Sequence, residues 1–480
     1  MKRLFILPLF ALLSPLLFVG CGERGNAERI ASTHYTITAT LLPESRTLLT
    51  ETVIECVSPA EGLSALKFRL YANAYREGNE VVTPEKKSVA YGIGKISYGG
   101  TEILSIQSDL PIQNHDLGQE GTLLTVRFGQ KFKRGERIRL KITEKITLAT
   151  VKHRLGYYDG YFNVAHFYPE LCPFREGKFL TYPITSCGDP FLHETADFSL
   201  DVTLPVEYEC ACSSHELFRE AQGTVAHYSY RMESVRDVAF VASEKLRCQE
   251  AEAGGVPIRY YYRSDAEYAK TLACITDAVT LFSEAFGAYP YPTYTVVATP
   301  FCEAGSEHAG MGLISCDLSP ADRREAVVHE TAHQWWFGKV GNDEYRDPWM
   351  DEGLAEYATA YFAKMKEGER AYRAKIQKAE DDYAILLALK GAEGARFDLT
   401  LEELKEGYYD RVYCGGSLLF CTLAERFGFP VFNEALRRYA NAFAGKVAAP
   451  QDLISSLSAS LGEDLSRVFT EWLTARVPVQ

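Results

Sequence analysis

The sequence predicts a multidomain α and β protein: an N-terminal antiparallel β-sandwich-like domain followed by a mostly helical domain. Two observations carry this. Between about residues 33 and 241, apolar and polar residues alternate in short runs bounded by turn residues, as in Thr36–Leu41, Leu123–Phe128, Ile138–Ile142 and Phe198–Leu204. Past the small, acidic stretch Glu250–Gly255 the apolar period lengthens to that of helices. The expected divisions are residues 33–248 and 249–480, preceded by a leader (1–20) and a linker (21–32).

The leader rests on its own pattern. Met1-Lys2-Arg3 is a basic start, and Leu4 to Gly20 is apolar but interrupted by Pro8, Ser14 and Pro15. That run is short of the ~20 residues a membrane span needs, so it reads as an export signal. Phe18-Val19-Gly20-Cys21 resembles a bacterial lipobox, which implies a lipid on Cys21 and contact with a membrane at the periplasmic or cell-surface side.

Composition narrows the function classes. A chain of 480 residues with 46% hydrophobic content buries real cores without staples. Its net charge of -13, or -15 once Lys2 and Arg3 leave with the leader, excludes a nucleic-acid partner. Of the 12 cysteines none forms a Cys-x-x-Cys pair, so a cysteine zinc site is excluded. Cys302 and Cys316 flank one loop, either as a bridge or as two buried thiols.

In the second half, helices are expected over Ala266–Phe286 (stopped by Gly287), Arg323–Phe337, Trp349–Lys366, Glu369–Leu389 and most of the chain from Ser417 on, with a strand at Thr295–Ala298. Ser319, Pro320 and Asp322 announce the second helix as cap, first-turn proline and dipole partner. On it, His329-Glu330-Thr331-Ala332-His333 sets two imidazoles four residues apart on one face, spaced for one metal ion with bonds of ~2.0–2.1 Å. Glu330 then stands beside the metal. No histidine follows His333, so the third ligand is a carboxylate among Glu344, Asp347, Asp351, Glu352 and Glu356. Asp347-Pro348 reads as a helix start that puts the last three on a second helix.

The pentapeptide, eighteen residues, and then Glu352 within Trp349-Met350-Asp351-Glu352-Gly353-Leu354-Ala355 resemble the aminopeptidase N family of zinc metallopeptidases, the gluzincins. The resemblance implies a thermolysin-like zincin catalytic domain, one Zn2+ held by His329, His333 and Glu352, and Glu330 as catalytic base. It also implies hydrolysis of peptides with a free N-terminus, one N-terminal residue at a time. Asp347 matches a family aspartate and is expected to brace a ligand histidine. Ala304-Gly305-Ser306-Glu307-His308 falls where the family has G-x-M-E-N, which points to Glu307 as the group that binds the substrate's amino terminus. His308 stands in the asparagine position; with Glu352 completing the ligand set, no metal role is expected of it. Tyr413-Cys414-Gly415-Gly416-Ser417 resembles Y-x-K-G-[AS], with glycine for lysine, and implies that Tyr413 stabilises the oxyanion.

Phe286–Pro292 resembles a family landmark, F-G-x-Y-P-Y-P, and Phe68–Ala74 and Arg236–Phe240 resemble parts of its β-domain. The family's larger members continue into a helical C-terminal domain, so a more open cleft is expected here. Two rival readings stand beside this one. The first is a gluzincin endopeptidase or non-peptide hydrolase, and the second a non-catalytic surface lipoprotein that binds through the same fold.

Overall fold

The alternation read from the sequence has a direct physical outcome. In Thr33–Leu42 the side chains of Tyr35, Ile37, Ala39 and Leu41 are buried while those between them face outward, the period of two that a half-buried strand requires. This strand lies in the middle of a seven-stranded sheet, in the order 216–222, 225–235, 196–205, 33–42, 47–57, 137–147, 100–108. All neighbours pair antiparallel except 33–42 with 196–205, where Ile37 faces Leu200 in parallel register. Two four-stranded sheets, one built on 65–69, 112–118, 123–128 and 170–171 and the other on 155–158, 161–165, 209–212 and 239–243, and a two-stranded pair, 174–175 with 178–179, also belong to this half. The computed structural model describes residues 33–94, 96–214 and 216–476; the leader, the linker and Cys21 lie outside them. Among the described residues no helix is long and apolar enough to cross a membrane.

The second half opens with a five-stranded sheet before it turns helical. Its strands are β1 (Arg247–Ala253), β2 (Val256–Tyr262), β3 (Tyr294–Thr299), β4 (Gly305–His308) and β5 (Met311–Ser315), in the order β1-β2-β3-β5-β4. Helix α1 (Tyr268–Phe286) crosses between β2 and β3. The longer helices that follow are α2 (Pro320–Ala332), α3 (Trp349–Lys366), α4 (Glu369–Ala395), α5 (Gly416–Phe427), α6 (Phe429–Ala442), α7 (Pro450–Leu461) and α8 (Ser466–Leu473). The expected order of a β-rich domain and then a helical zincin-type domain is the order observed. Tyr161, Ala165, Ala239 and Val241 of the first half pack against Tyr261, Val297, Met311 and Leu313 of the second, so one apolar layer joins the two.

Two helix ends and one cap differ from expectation: α4 runs on to Ala395 rather than Leu389. Helix α2 stops at Ala332, not at Phe337, with His333 as its last cap. The residues after it serve separate partners: Trp335 and Trp336 are fully buried, Gln334 bonds back to the β4–β5 turn, and Phe337 takes φ 144°. Helix α3 keeps its expected bounds with Pro348 as N-cap and no side-chain cap, so Asp347 contributes only its carbonyl, which accepts from Met350 N. Cys302 and Cys316 are separate thiols.

Candidate active site

Helix α2 carries the first two donors. Ser319 Oγ accepts from the Asp322 amide, Pro320 takes the first helical position, and the four-residue spacing then brings the two rings to one face. His329 Nε2 and His333 Nε2 stand 3.0 Å apart. Glu352, in the first turn of α3, places Oε2 3.1 Å from His329 Nε2 and 3.3 Å from His333 Nε2. Three buried donors, two imidazole nitrogens and one carboxylate oxygen, thus converge on one point. Two nitrogens at this separation cannot both carry protons toward each other, and the set matches the nitrogen and oxygen ligands zinc takes when one position is left open. The residues present fit one zinc ion.

The outer contacts orient these ligands. His333 Nδ1 faces the Trp336 carbonyl at 2.9 Å, which fixes Nε2 as the metal-facing nitrogen. His329 Nδ1 stands 3.0 Å from Glu356 Oε1, an ion-pair contact whose angle falls short of a hydrogen bond, and Glu356 Oε2 is 3.0 Å from Lys375 Nζ. This is the place expected for Asp347, and the structure gives it to Glu356. The sequence carried a signal for it, because Glu352 and Glu356 are four apart on one helix face. The Asp347 carbonyl instead accepts from Asn342 Nδ2 at 3.1 Å.

Glu330 is buried beside the trio, with Oε2 free of any hydrogen bond. Burial lifts its carboxyl above the usual range, the His329 charge opposes that, and Glu307 adds to it. A Cβ on Gly305 would fall 2.3 Å from Glu330 Oε1, so strand β4 passes directly over the base and only glycine leaves room. Glu307, two residues on, brings a carboxylate oxygen within 4.8 Å of Glu330 and His333 donors. It is buried, burial and Asp189 raise its carboxyl, and among the described residues no ion pair or hydrogen bond holds its side chain.

Gln334, which sequence reading passed over, locks this strand. Its amide accepts from Gly310 N at 2.8 Å and donates to the His308 carbonyl at 3.0 Å, so the end of α2 holds the β4–β5 turn in place.

Tyr413 lies in the wide π-helical turn Tyr409–Gly415 that precedes α5. Its hydroxyl donates to Glu352 Oε1 and its ring stacks on His329 at 5.7 Å. The expected site residues Glu307, Glu330, His329, His333, Glu352 and Tyr413 therefore line one cavity of about 640 Å3, which Asp189 and Arg154 of the β-rich half also reach.

A helix-borne His-Glu-x-x-His with a glutamate from the next helix, beside an edge strand, defines the class: a zincin-type metallopeptidase domain of the gluzincin kind. Residues 271–472 match the Peptidase family M1 domain. Aminopeptidase 2 of Candida albicans is 27% identical over 253 residues, 49% of this chain and 27% of that protein. The alanine/arginine aminopeptidase of Saccharomyces cerevisiae is 27% identical over 261 residues, 50% of this chain and 30% of that protein. The chain thus matches less than a third of the length of these relatives. Among solved structures, the M1 zinc metallopeptidase from Deinococcus radiodurans aligns with a TM-score of 0.65 at 20% identity, covering 93% of this chain and 94% of that one. A mutant of it bound to a Tyr-Ser-Ala substrate also gives 0.65, at 18% identity and covering 93% and 95%. Both share the fold.

Proposed function

We propose that this protein is a zinc-dependent aminopeptidase that hydrolyses the first peptide bond of substrates with a free N-terminus. The observation that supports it most is Glu307: a buried carboxylate without a cationic partner, beside the metal donors and facing the same cavity. Such a group takes an ammonium, and an ammonium held there sets the first peptide bond at the metal-facing donors. When bound, zinc supplies a Lewis acid that polarises the scissile carbonyl and acidifies water. Glu330 holds the proton taken from the attacking water and passes it to the leaving amine. Tyr413 offers a hydroxyl hydrogen to the oxyanion. Peptides with free and N-acetylated termini test the reading: the free form is expected to be cleaved at least tenfold faster, and equal rates would instead indicate an endopeptidase. Glu307→Gln should raise KM for free peptides.

The leader motif supports a further proposal, that the protein is exported and tethered by a lipid on Cys21. Full-length protein should fractionate with membranes and Cys21→Ser with the soluble phase; identical behaviour of the two rejects the tether.

A further inference from the structure

Successive side chains of a strand face opposite ways, so while Glu307 of β4 faces the cleft, His308 faces behind it. There it meets a group of metal-ligating side chains that the proposed reaction leaves unused. Glu170 spans two imidazoles, with Oε1 2.8 Å from His166 Nδ1 and Oε2 3.2 Å from His193 Nε2. The His166 and His193 rings lie nearly parallel with centroids 5.4 Å apart. His308 Nδ1 is 2.5 Å from Asp237 Oδ2, and its ring centroid is 5.6 Å from that of His166. One donor each from His166, Glu170 and His193 falls within a 4.8 Å group, and so does one each from His166, Asp237 and His308. The donor separations of 2.8 and 3.2 Å resemble the 3.0 to 3.3 Å of the catalytic trio.

Charge decides what this group needs. Asp237 is 0% and Glu170 5% exposed, and among the described residues neither pairs with a lysine or arginine. The adjacent Arg236 gives its donors to the carbonyls of His193, Phe337 and Lys446. The Ala309 amide donates to Asp237 Oδ1 at 2.8 Å; full compensation of the two buried negative charges beyond such N–H donors comes from protonated imidazoles or from a divalent cation. A protonated imidazole carries hydrogen on both nitrogens, yet His308 Nε2 and His193 Nδ1 are buried without a hydrogen-bond partner. Protonating both rings would strand two buried N–H groups, each at about 1–3 kcal/mol. Neutral rings strand fewer: with its hydrogen on Nδ1 toward Asp237, His308 keeps an unpartnered Nε2 lone pair, and a metal on His193 Nε2 leaves a single buried N–H, at Nδ1. His166 also holds φ 52°, a left-handed backbone uncommon outside glycine, of the kind found at ligand clamps.

We propose that His166, Glu170 and His193, with the Asp237–His308 pair adjoining, hold a second, non-catalytic divalent cation of the zinc type. Nitrogen and carboxylate donors suit that class of ion. It would bolt the β-rich half, which supplies four of the five residues, to the strand that carries Glu307.

The test is zinc content per chain, measured on the full chain purified from zinc-supplemented cells and desalted. Wild type is expected to hold two equivalents, Glu170→Gln/His193→Gln one, and His329→Gln/His333→Gln one. One equivalent in wild type with none in His329→Gln/His333→Gln overturns the proposal, as do two in Glu170→Gln/His193→Gln. Should Glu170→Gln/His193→Gln fail to fold, the His329→Gln/His333→Gln count decides alone, one supporting and none overturning. An inactive wild type with two equivalents would reject the peptidase reading and leave this one standing.

Discussion

Gly353 and Gly416 pack backbone to backbone: a Cβ on Gly416 would fall 2.8 Å from Gly353 Cα, and one on Gly353 would fall 3.0 Å from Gly416 Cα. Helices α3 and α5 approach this closely only because neither residue has a side chain. Glu352 sits one residue before the first glycine and Tyr413 three before the second, so this crossing is what sets the tyrosine hydroxyl on the ligand carboxylate.

Gly416→Ala is accordingly expected to cost roughly 1–3 kcal/mol of stability, the range for overpacking a filled core, and to lower turnover as Tyr413 moves away. Urea unfolding and kcat on one preparation check both. Unchanged stability would show that the crossing has slack. Tyr413→Phe should lose about 10²–10³-fold in kcat with stability nearly kept.

Gly305→Ala tests the strand that passes over Glu330. The added methyl collides with the Glu330 carboxylate, the end of a flexible side chain, so the base yields by swinging away from its place beside the donors. A shift of about 1 Å at such a group costs roughly 10²-fold in kcat. Zinc content should stay as in wild type, which separates this effect from loss of the metal. Glu330→Gln, with zinc kept and turnover lost, marks the lower limit.

How much of this was legible in the sequence follows from how local each feature is. His329 and His333 are four apart on one helix, so their convergence needed only helical geometry. Glu352 needed a family resemblance, because five carboxylates lay downstream and chain spacing does not say which one returns to the metal. The end of α2 falls five residues before the expected Phe337, since partners remote in sequence, such as His308 for Gln334, decide where it stops. Glu356 was overlooked in favour of Asp347 although its four-residue offset from Glu352 was visible; the missing piece was which face of α3 meets α2. The group around Glu170 was out of reach altogether, because its members run from His166 to His308 and only the packing of the two halves brings them together.

Glu356 yields a prediction about metal affinity rather than chemistry. It stands between His329 and Lys375, so removing its charge leaves the imidazole less firmly oriented and Lys375 with Glu325 as its remaining partner. Glu356→Gln is expected to weaken zinc binding about 10–100-fold, as for other carboxylates behind a ligand histidine. Competition with a chromophoric chelator measures this. An unchanged affinity would mean that Trp336 and the helix alone orient the pair.

Glu144 predicts a pH dependence of stability far from the cleft. It is 1% exposed in the strand Arg137–Thr147, where Thr101 Oγ1 donates to it at 3.0 Å and, among the described residues, no cation pairs with it. Burial pushes its carboxyl up from 4.5 to about 8, the Thr101 hydrogen bond opposing. The folded protein therefore keeps this proton up to about pH 8, whereas the unfolded chain releases it near pH 4.5. Between those values the native state binds more protons, so this group's contribution to stability declines as pH rises and levels off above about pH 8. At ~1.4 kcal/mol per pH unit the full effect is on the order of a few kcal/mol. Glu144→Gln removes the titrating group, so urea unfolding across pH 5 to 9 should show wild type losing stability relative to the variant as pH rises. Parallel curves for the two proteins would show that Glu144 is ionised in the fold at neutral pH.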